Sequence, residues 1–126
     1  MYKYVAEKVE DWGNDLIGEY GYSSVGAVVG ATYPEEGGTL RKLMPHTFFL
    51  IPGYGAQGGT AESLLPCFDE NGSGGIVNAS RSILTAHQNS PLPVVDAVKA
   101  EALRMKNDLL DALGGKITLG KGESNV

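Results

Sequence analysis

The sequence lacks several features that mark particular classes of protein, and each absence excludes a class. It has one cysteine in 126 residues, so an internal disulfide is excluded and no metal cluster can be built on thiolates. Its longest apolar stretches are too short to span a bilayer, and its amino terminus lacks the pattern of a signal peptide. We therefore predict a cytosolic chain with no membrane contact and no metal.

Basic residues are also too few and too scattered to form a nucleic-acid surface. Ten Lys and Arg residues stand against fifteen Asp and Glu residues, which gives a formal net charge of −5. Binding to a nucleic-acid backbone relies on clustered cations, so nucleic acid is an unfavourable partner. A small anionic ligand stays compatible with this charge, because one local site can oppose the global balance.

Glycine, in contrast, is abundant. The chain has 18 glycines, about twice the usual frequency of roughly 7%. They cluster at 53–59, 72–75 and 114–122, where they follow apolar segments. Such placement indicates tight turns, or backbone that a ligand approaches closely.

Hydrophobic patterning predicts helices and strands in strict alternation. Three short, continuous apolar runs are typical of parallel strands that are buried on both faces. Helical spacing of Val5, Val9, Trp12 and Leu16 predicts an amphipathic first helix, with Trp12 packed in or near the core. We expect an α/β fold with a parallel sheet, a single partial domain over 1–126, and a frayed tail at 116–126. The predicted strands are 24–31, 47–51 and 75–78, and the predicted helices are 2–20, 34–44, 60–69, 80–87 and 94–113.

The residues that could bind a ligand follow the ends of two predicted strands. Pro52 and the run Gly53–Gly59 follow the second strand, and Asn78–Ser82 follows the third. Parallel sheets bind ligands at the carboxyl ends of their strands, so both segments lie at the same end of the sheet. Exposed backbone N–H groups and a helix amino terminus bind phosphate oxygens, and the guanidinium of Arg81 can bind two oxygens at once. These patterns predict one shared anion site.

Each of these residues also has a simpler interpretation. The glycines could only form a turn, Arg81 could join a surface ion pair, and Ser80 could only cap a helix. The combination favours the anion site, because both segments meet at the same end of neighbouring strands.

Three strings resemble the orotidine 5′-phosphate decarboxylase family, in particular its longer bacterial subfamily. They are Ser24–Thr32 (SVGAVVGAT), Phe49–Gly59 (FLIPGYGAQGG) and Val77–Ile83 (VNASRSI). The resemblance implies the C-terminal part of a (β/α)8 (TIM) barrel, with these segments as strands six to eight. It also implies conversion of orotidine monophosphate (OMP) into UMP without a cofactor or metal. The residues that it assigns to the nucleotide and its phosphate are Pro52, Gly55, Gln57, Gly58, Ser80 and Arg81.

One motif of that family is absent. The family carries Asp-x-Lys-x-x-Asp on an earlier strand as part of its decarboxylating array, and this sequence contains no such motif. We therefore expect no catalytic residue in this chain and negligible activity from it alone. Two open sheet edges would remain, so we expect self-association or association with the other part of the barrel.

Two other functions fit parts of the pattern. Gly53–Gly58 satisfies G-x-G-x-x-G, so the chain could be a fragment of an NADP-binding Rossmann-type oxidoreductase, with Arg81 at the 2′-phosphate. The short helix that follows, interrupted by Pro66, weakens this alternative. The chain could also be a non-enzymatic module that binds a nucleotide or phosphate.

Overall fold

A three-stranded parallel sheet organises the protein. The computed structural model describes residues 1–30, 32–55 and 58–114, so the predicted frayed tail at 116–126 lies outside the described residues. The strands are β1 (Gly26–Val28), β2 (Phe48–Pro52) and β3 (Gly75–Asn78), and their order in the sheet is β1-β2-β3. Both neighbouring pairs are parallel, which confirms the predicted fold class.

Within the described residues, five α-helices connect or flank these strands. They are α1 (Tyr2–Gly13), α2 (Pro34–Leu43), α3 (Ala61–Leu64), α4 (Ser80–Leu84) and α5 (Val94–Leu113). Pro34 in the first turn and two acidic residues behind it suit the start of α2, as the sequence predicted. Gly114 ends α5 in the left-handed conformation (φ 60°), which glycine adopts without strain.

Only one face of the sheet is buried, which corrects the expectation of strands buried on both faces. Phe49 and Ile51 point toward the helices and are fully buried. The alternate residues point to the other face, where Val28 is 71% exposed and Ile76 is 58% exposed. Small and apolar side chains on this open face suit the interior of a barrel, which needs further strands to close it.

The first helix is shorter than the predicted 2–20. It ends at Gly13, where a Cβ atom would lie 2.4 Å from the Ser23 side-chain oxygen, and a single 3-10 turn follows. Ile17 and Ser23 then pair as an antiparallel bridge, which turns the chain back toward β1. Trp12 is 64% exposed, so the prediction that it packs in or near the core is wrong.

A buried arginine joins the amino ends of β2 and β3. Arg41 on α2 is almost fully buried, and its guanidinium lies over the ring of Phe49, with Cζ 3.7 Å from the ring centroid. It donates four hydrogen bonds of 2.7–3.1 Å to backbone carbonyl oxygens. Burial lowers the pKa of Arg41 from its ordinary value. The accepting residues are Met44, Thr47, Cys67 and Gly74.

A tyrosine–aspartate pair completes this end of the sheet. The Tyr22 hydroxyl donates to the Asp69 carboxylate, which also accepts the backbone N–H groups of Asn71 and Ser73. Burial and the hydrogen bond to Asp69 raise the pKa of Tyr22 to about 12. The Asp69 side chain therefore holds the turn that leads into β3, and Tyr22 anchors this carboxylate from outside the turn.

We predict that Arg41→Lys lowers the free energy of unfolding by about 2–4 kcal/mol. A lysine ammonium cannot reproduce the planar fork, so some buried carbonyls would lose their partners, at roughly 1–3 kcal/mol each. Urea denaturation followed by circular dichroism measures the change. Lys42→Ala, at the exposed neighbouring position, serves as the control and should change stability by less than about 0.5 kcal/mol. An Arg41→Lys variant as stable as this control would contradict the role given to the guanidinium.

Candidate anion-binding site

The register of the sheet brings the two predicted segments together. In the parallel pairing of β2 and β3, Pro52 is the direct partner of Asn78, so the backbones that leave these residues start side by side. A pocket of about 210 Å³ lies between them. Pro52 is the last residue of β2 rather than the first residue of the loop. The pocket is lined by Pro52, Gly53, Tyr54, Asn78, Ala79, Ser80, Arg81 and Ser82.

The volume limits what this pocket can hold. Sites for drug-sized ligands occupy roughly 300–1,000 Å³, which is more than this pocket offers. It therefore suits one anionic group of a ligand, with the remainder of the ligand lying outside it.

Glycine conformations set the path of the loop after β2, and of the three glycines with positive φ in this loop Gly53 lines the pocket. Gly53 (φ 101°), Gly55 (φ 77°) and Gly58 (φ 84°) occupy the region that residues with a side chain rarely adopt. The Gly55 N–H donates to the Gly59 carbonyl at 2.8 Å, and the Gly58 N–H donates to the Gly55 carbonyl at 2.9 Å. These two N–H groups already have partners within the loop, so in this conformation the glycines contribute shape and close backbone approach.

Arg81 is the positive charge of the site. It lies in the first turn of α4, its side chain is exposed, and no carboxylate in the described ranges forms an ion pair with it. Its carbonyl accepts both the N–H and the hydroxyl of Thr85, which fixes this turn. The interpretation of Arg81 as a member of a surface ion pair gains no support from the part of the chain that the structure describes.

Neither serine of α4 caps the helix, so the interpretation of Ser80 as only a helix cap is not supported. The N-cap is Ala79, no side chain caps the helix, and Ser80 is the exposed first helical residue. The first N–H groups of a helix have no partner within it, so they are available to a ligand. The Ser82 hydroxyl is inaccessible to solvent and has no hydrogen-bond partner among the described residues. It lies 4.0 Å from the position of a Cβ atom on Gly55, across the gap between the two segments.

Gln57, the remaining predicted ligand, lies outside the described residues. Tyr54 and its partner Asp108 on α5 are contacts of this site that the sequence analysis missed. A signal for Asp108 was present, because it lies three residues after Met105 and therefore shares the inward face of α5.

The described residues contain neither a group of metal ligands nor a membrane-spanning helix. In residues 1–30, 32–55 and 58–114, no three His, Cys, Asp or Glu side chains are grouped as metal ligands. No helix in the same ranges has the length and apolar character that crossing a bilayer requires.

Comparison with known proteins identifies the family. Clostridium tetani orotidine 5′-phosphate decarboxylase is 44% identical over 118 residues, which cover 92% of this chain and 41% of that protein. The Caldicellulosiruptor bescii protein of the same name is 52% identical over 89 residues, covering 71% of this chain and 29% of its own length. The chain belongs to the orotidine 5′-phosphate decarboxylase family. No protein-family model matches the sequence.

Solved structures of the decarboxylase family agree with the fold. Leishmania donovani OMP decarboxylase superposes with a TM-score of 0.60 at 29% identity, covering 86% of this chain and 38% of that protein. This likeness confirms that the sheet belongs to a TIM-barrel architecture. The chain spans about two fifths of the length of the first curated relatives that it matches.

The alternative of a dinucleotide-binding fold gains no support. α3, which follows the G-x-G-x-x-G string, has only four residues before a 3-10 turn that contains Pro66. The dinucleotide fingerprint instead needs a helix that packs firmly against its strand and points its amino end at the pyrophosphate. None of the relatives or structures described above suggests an NADP-dependent enzyme.

Proposed function

We propose that this chain forms the phosphate-binding edge of an orotidine 5′-phosphate decarboxylase, which converts OMP into UMP and CO2. The observation that carries the proposal is the direct pairing of Pro52 with Asn78, which places Arg81 beside the glycine-rich loop. A phosphate would enter the pocket between these segments, and the nucleoside would extend along the carboxyl edge of the sheet.

Arg81 would supply most of the attraction for the phosphate. Its guanidinium presents donors in a fixed fork that matches two phosphate oxygens, and such charge-assisted hydrogen bonds are roughly twice as strong as neutral ones. Ser80 lies in the exposed first turn of α4, where the hydroxyl and the N–H groups can add donors. Gly55 and Gly58 would let the ligand approach the backbone, and the Gln57 amide would donate to the phosphate or reach the base.

The chemical step needs groups that this pocket does not supply. Its lining contains no lysine and no carboxylate, and the family's Asp-x-Lys-x-x-Asp motif is missing from the sequence. Loss of CO2 leaves a carbanion that must be stabilised and then protonated, for which a charged array is required. We therefore propose that the catalytic groups come from other strands of the barrel.

The open face of the sheet supports association with those strands. Val28, Phe48, Leu50 and Ile76 expose apolar surface on this face, and β1 and β3 each leave one edge unpaired in the described sheet. An apolar groove of about 600 Å³ lies along the β1 side between α1 and α2. Unpaired edges and apolar patches favour association, so we propose that the other part of the barrel, or a second copy of this chain, covers them.

We predict that the chain binds UMP and that Arg81→Ala raises the Kd about tenfold to a hundredfold. Loss of hydrogen bonds to a charged group corresponds to roughly 1.5–3 kcal/mol of binding free energy. Isothermal titration calorimetry with UMP, inorganic phosphate and NADP measures these affinities. Lys42→Ala, an exposed change near the amino ends of the strands, is the matched control and should leave the Kd of UMP unchanged.

Three outcomes of this titration separate the functional hypotheses. Saturable UMP binding that depends on Arg81 supports the phosphate site. Preference for NADP over UMP would favour the dinucleotide-binding alternative. Equal affinity of the Arg81→Ala variant and the parent chain for UMP would contradict the assignment of Arg81.

We also predict that the purified chain alone releases no CO2 from OMP above the uncatalysed background. The charged array that would stabilise the carbanion is not encoded in its sequence. Release of radiolabelled CO2 from carboxyl-labelled OMP provides a sensitive measurement. Turnover by a sample whose sequence and purity are verified would contradict this expectation.

A further inference from the structure

One aromatic side chain anchors the glycine-rich loop. Within the described part of that loop, Tyr54 stands between Gly53 and Gly55, and it is 4% exposed while Gly55 and Gly58 are exposed. Every other described residue of the loop, from Gly53 to Gly59, is a glycine without a side chain to pack. Among the described residues of the loop, Tyr54 is therefore the one whose side chain packs in the protein core.

The far end of the Tyr54 side chain bonds to α5. Its hydroxyl donates to the carboxylate of Asp108, which is half-buried. Burial, and then the hydrogen bond to Asp108, raise the pKa of Tyr54, so the phenol stays protonated and acts as a donor at neutral pH. One turn away, Arg104 donates to both carboxylate oxygens of Glu101 at 2.7 and 2.8 Å, and it faces the same tyrosine. The loop is thereby tied to the longest helix of the described chain.

The backbone around Tyr54 links its hydrogen bond with Asp108 to the pocket. Tyr54 pairs with Gly59 in a parallel bridge, and hydrogen bonds from Gly55 to Gly59 and from Gly59 to Gly53 close the loop around it. Tyr54 and Gly53 both line the pocket that contains Arg81. Glycines with positive φ adopt many other conformations, so contacts from outside the loop add to these hydrogen bonds in restricting its shape.

We propose that Tyr54 and Asp108 are positioning residues for the anion site, and that their hydrogen bond holds the glycine-rich loop in its binding shape. The proposal rests on the proposed function of the pocket and adds that α5, a helix outside the pocket lining, controls its affinity. A preformed site binds more tightly than a site that must first be ordered, because the ligand does not have to offset the lost freedom of the loop.

The test compares UMP affinity across variants of the full chain. Tyr54→Phe removes only the hydroxyl, Asp108→Ala removes the acceptor, and Asp108→Asn keeps an acceptor oxygen at the same place. Asp111→Ala changes an exposed carboxylate of the same helix and serves as the matched control. Calorimetry is performed at a temperature at which circular dichroism shows every variant to be folded.

We expect Tyr54→Phe and Asp108→Ala each to raise the Kd of UMP about threefold to tenfold. The variant that carries both Tyr54→Phe and Asp108→Ala should have a Kd no higher than that of the single variant with the higher Kd. Both changes break the same hydrogen bond, so their effects should not add. Asp108→Asn should retain affinity within about twofold, and Asp111→Ala should match the parent chain. A general loss of stability would not produce this rescue or this coupling.

The result that overturns the positioning role is distinct from the result that overturns the site. If Arg81→Ala weakens UMP binding but Tyr54→Phe and Asp108→Ala do not, the pocket binds phosphate and the loop needs no anchor. If the parent chain shows no saturable UMP binding, the proposed function fails and the positioning role fails with it. Should Tyr54→Phe fail to fold, the contrast between Asp108→Ala and Asp108→Asn decides the question.

Discussion

The buried guanidinium of Arg41 is the interaction on which the arrangement of this sheet depends. Its four carbonyl partners precede β2, precede β3, end α2 and end the 3-10 turn after α3. Removing a charged group from water costs several kcal/mol, and only well-formed hydrogen bonds offset that penalty. Because all four bonds converge on one planar group, these segments can occupy only one position relative to one another. The amino ends of β2 and β3 are thereby fixed.

The ligand-binding edge lies at the opposite end of the same strands. Once the amino ends are fixed, the parallel register places Pro52 beside Asn78, and both following segments begin at one point. In the described part of the loop, glycines with positive φ set the path of the backbone. The site is thus built mainly from strand register, with Arg81 as its charge and Tyr54 as the anchor of the loop.

Much of this arrangement was predictable, and the failures have physical reasons. Continuous apolar runs located the three parallel strands, and the expectation that the segments after β2 and β3 start side by side agrees with the pairing of Pro52 and Asn78. The end of α1 was missed because Gly13 is required by contact with Ser23, which no local pattern reveals. Trp12 has the spacing of a core residue, but periodicity does not tell whether the element that would cover it is present. Arg41 lies between Leu40 and Lys42, a context that gives no sign of burial.

The most direct test is a two-dimensional 1H–15N NMR titration of the chain with UMP. Binding at the proposed edge predicts saturable shifts concentrated in the amides of residues 53–59 and 78–82, with a single Kd for all of them. The chemical shifts of amides at the amino ends of the strands, around Thr47 and Gly74, should not change. Saturable shifts centred on α1 and β1, or no saturable shift at millimolar UMP, would contradict a phosphate site formed by the carboxyl ends of β2 and β3.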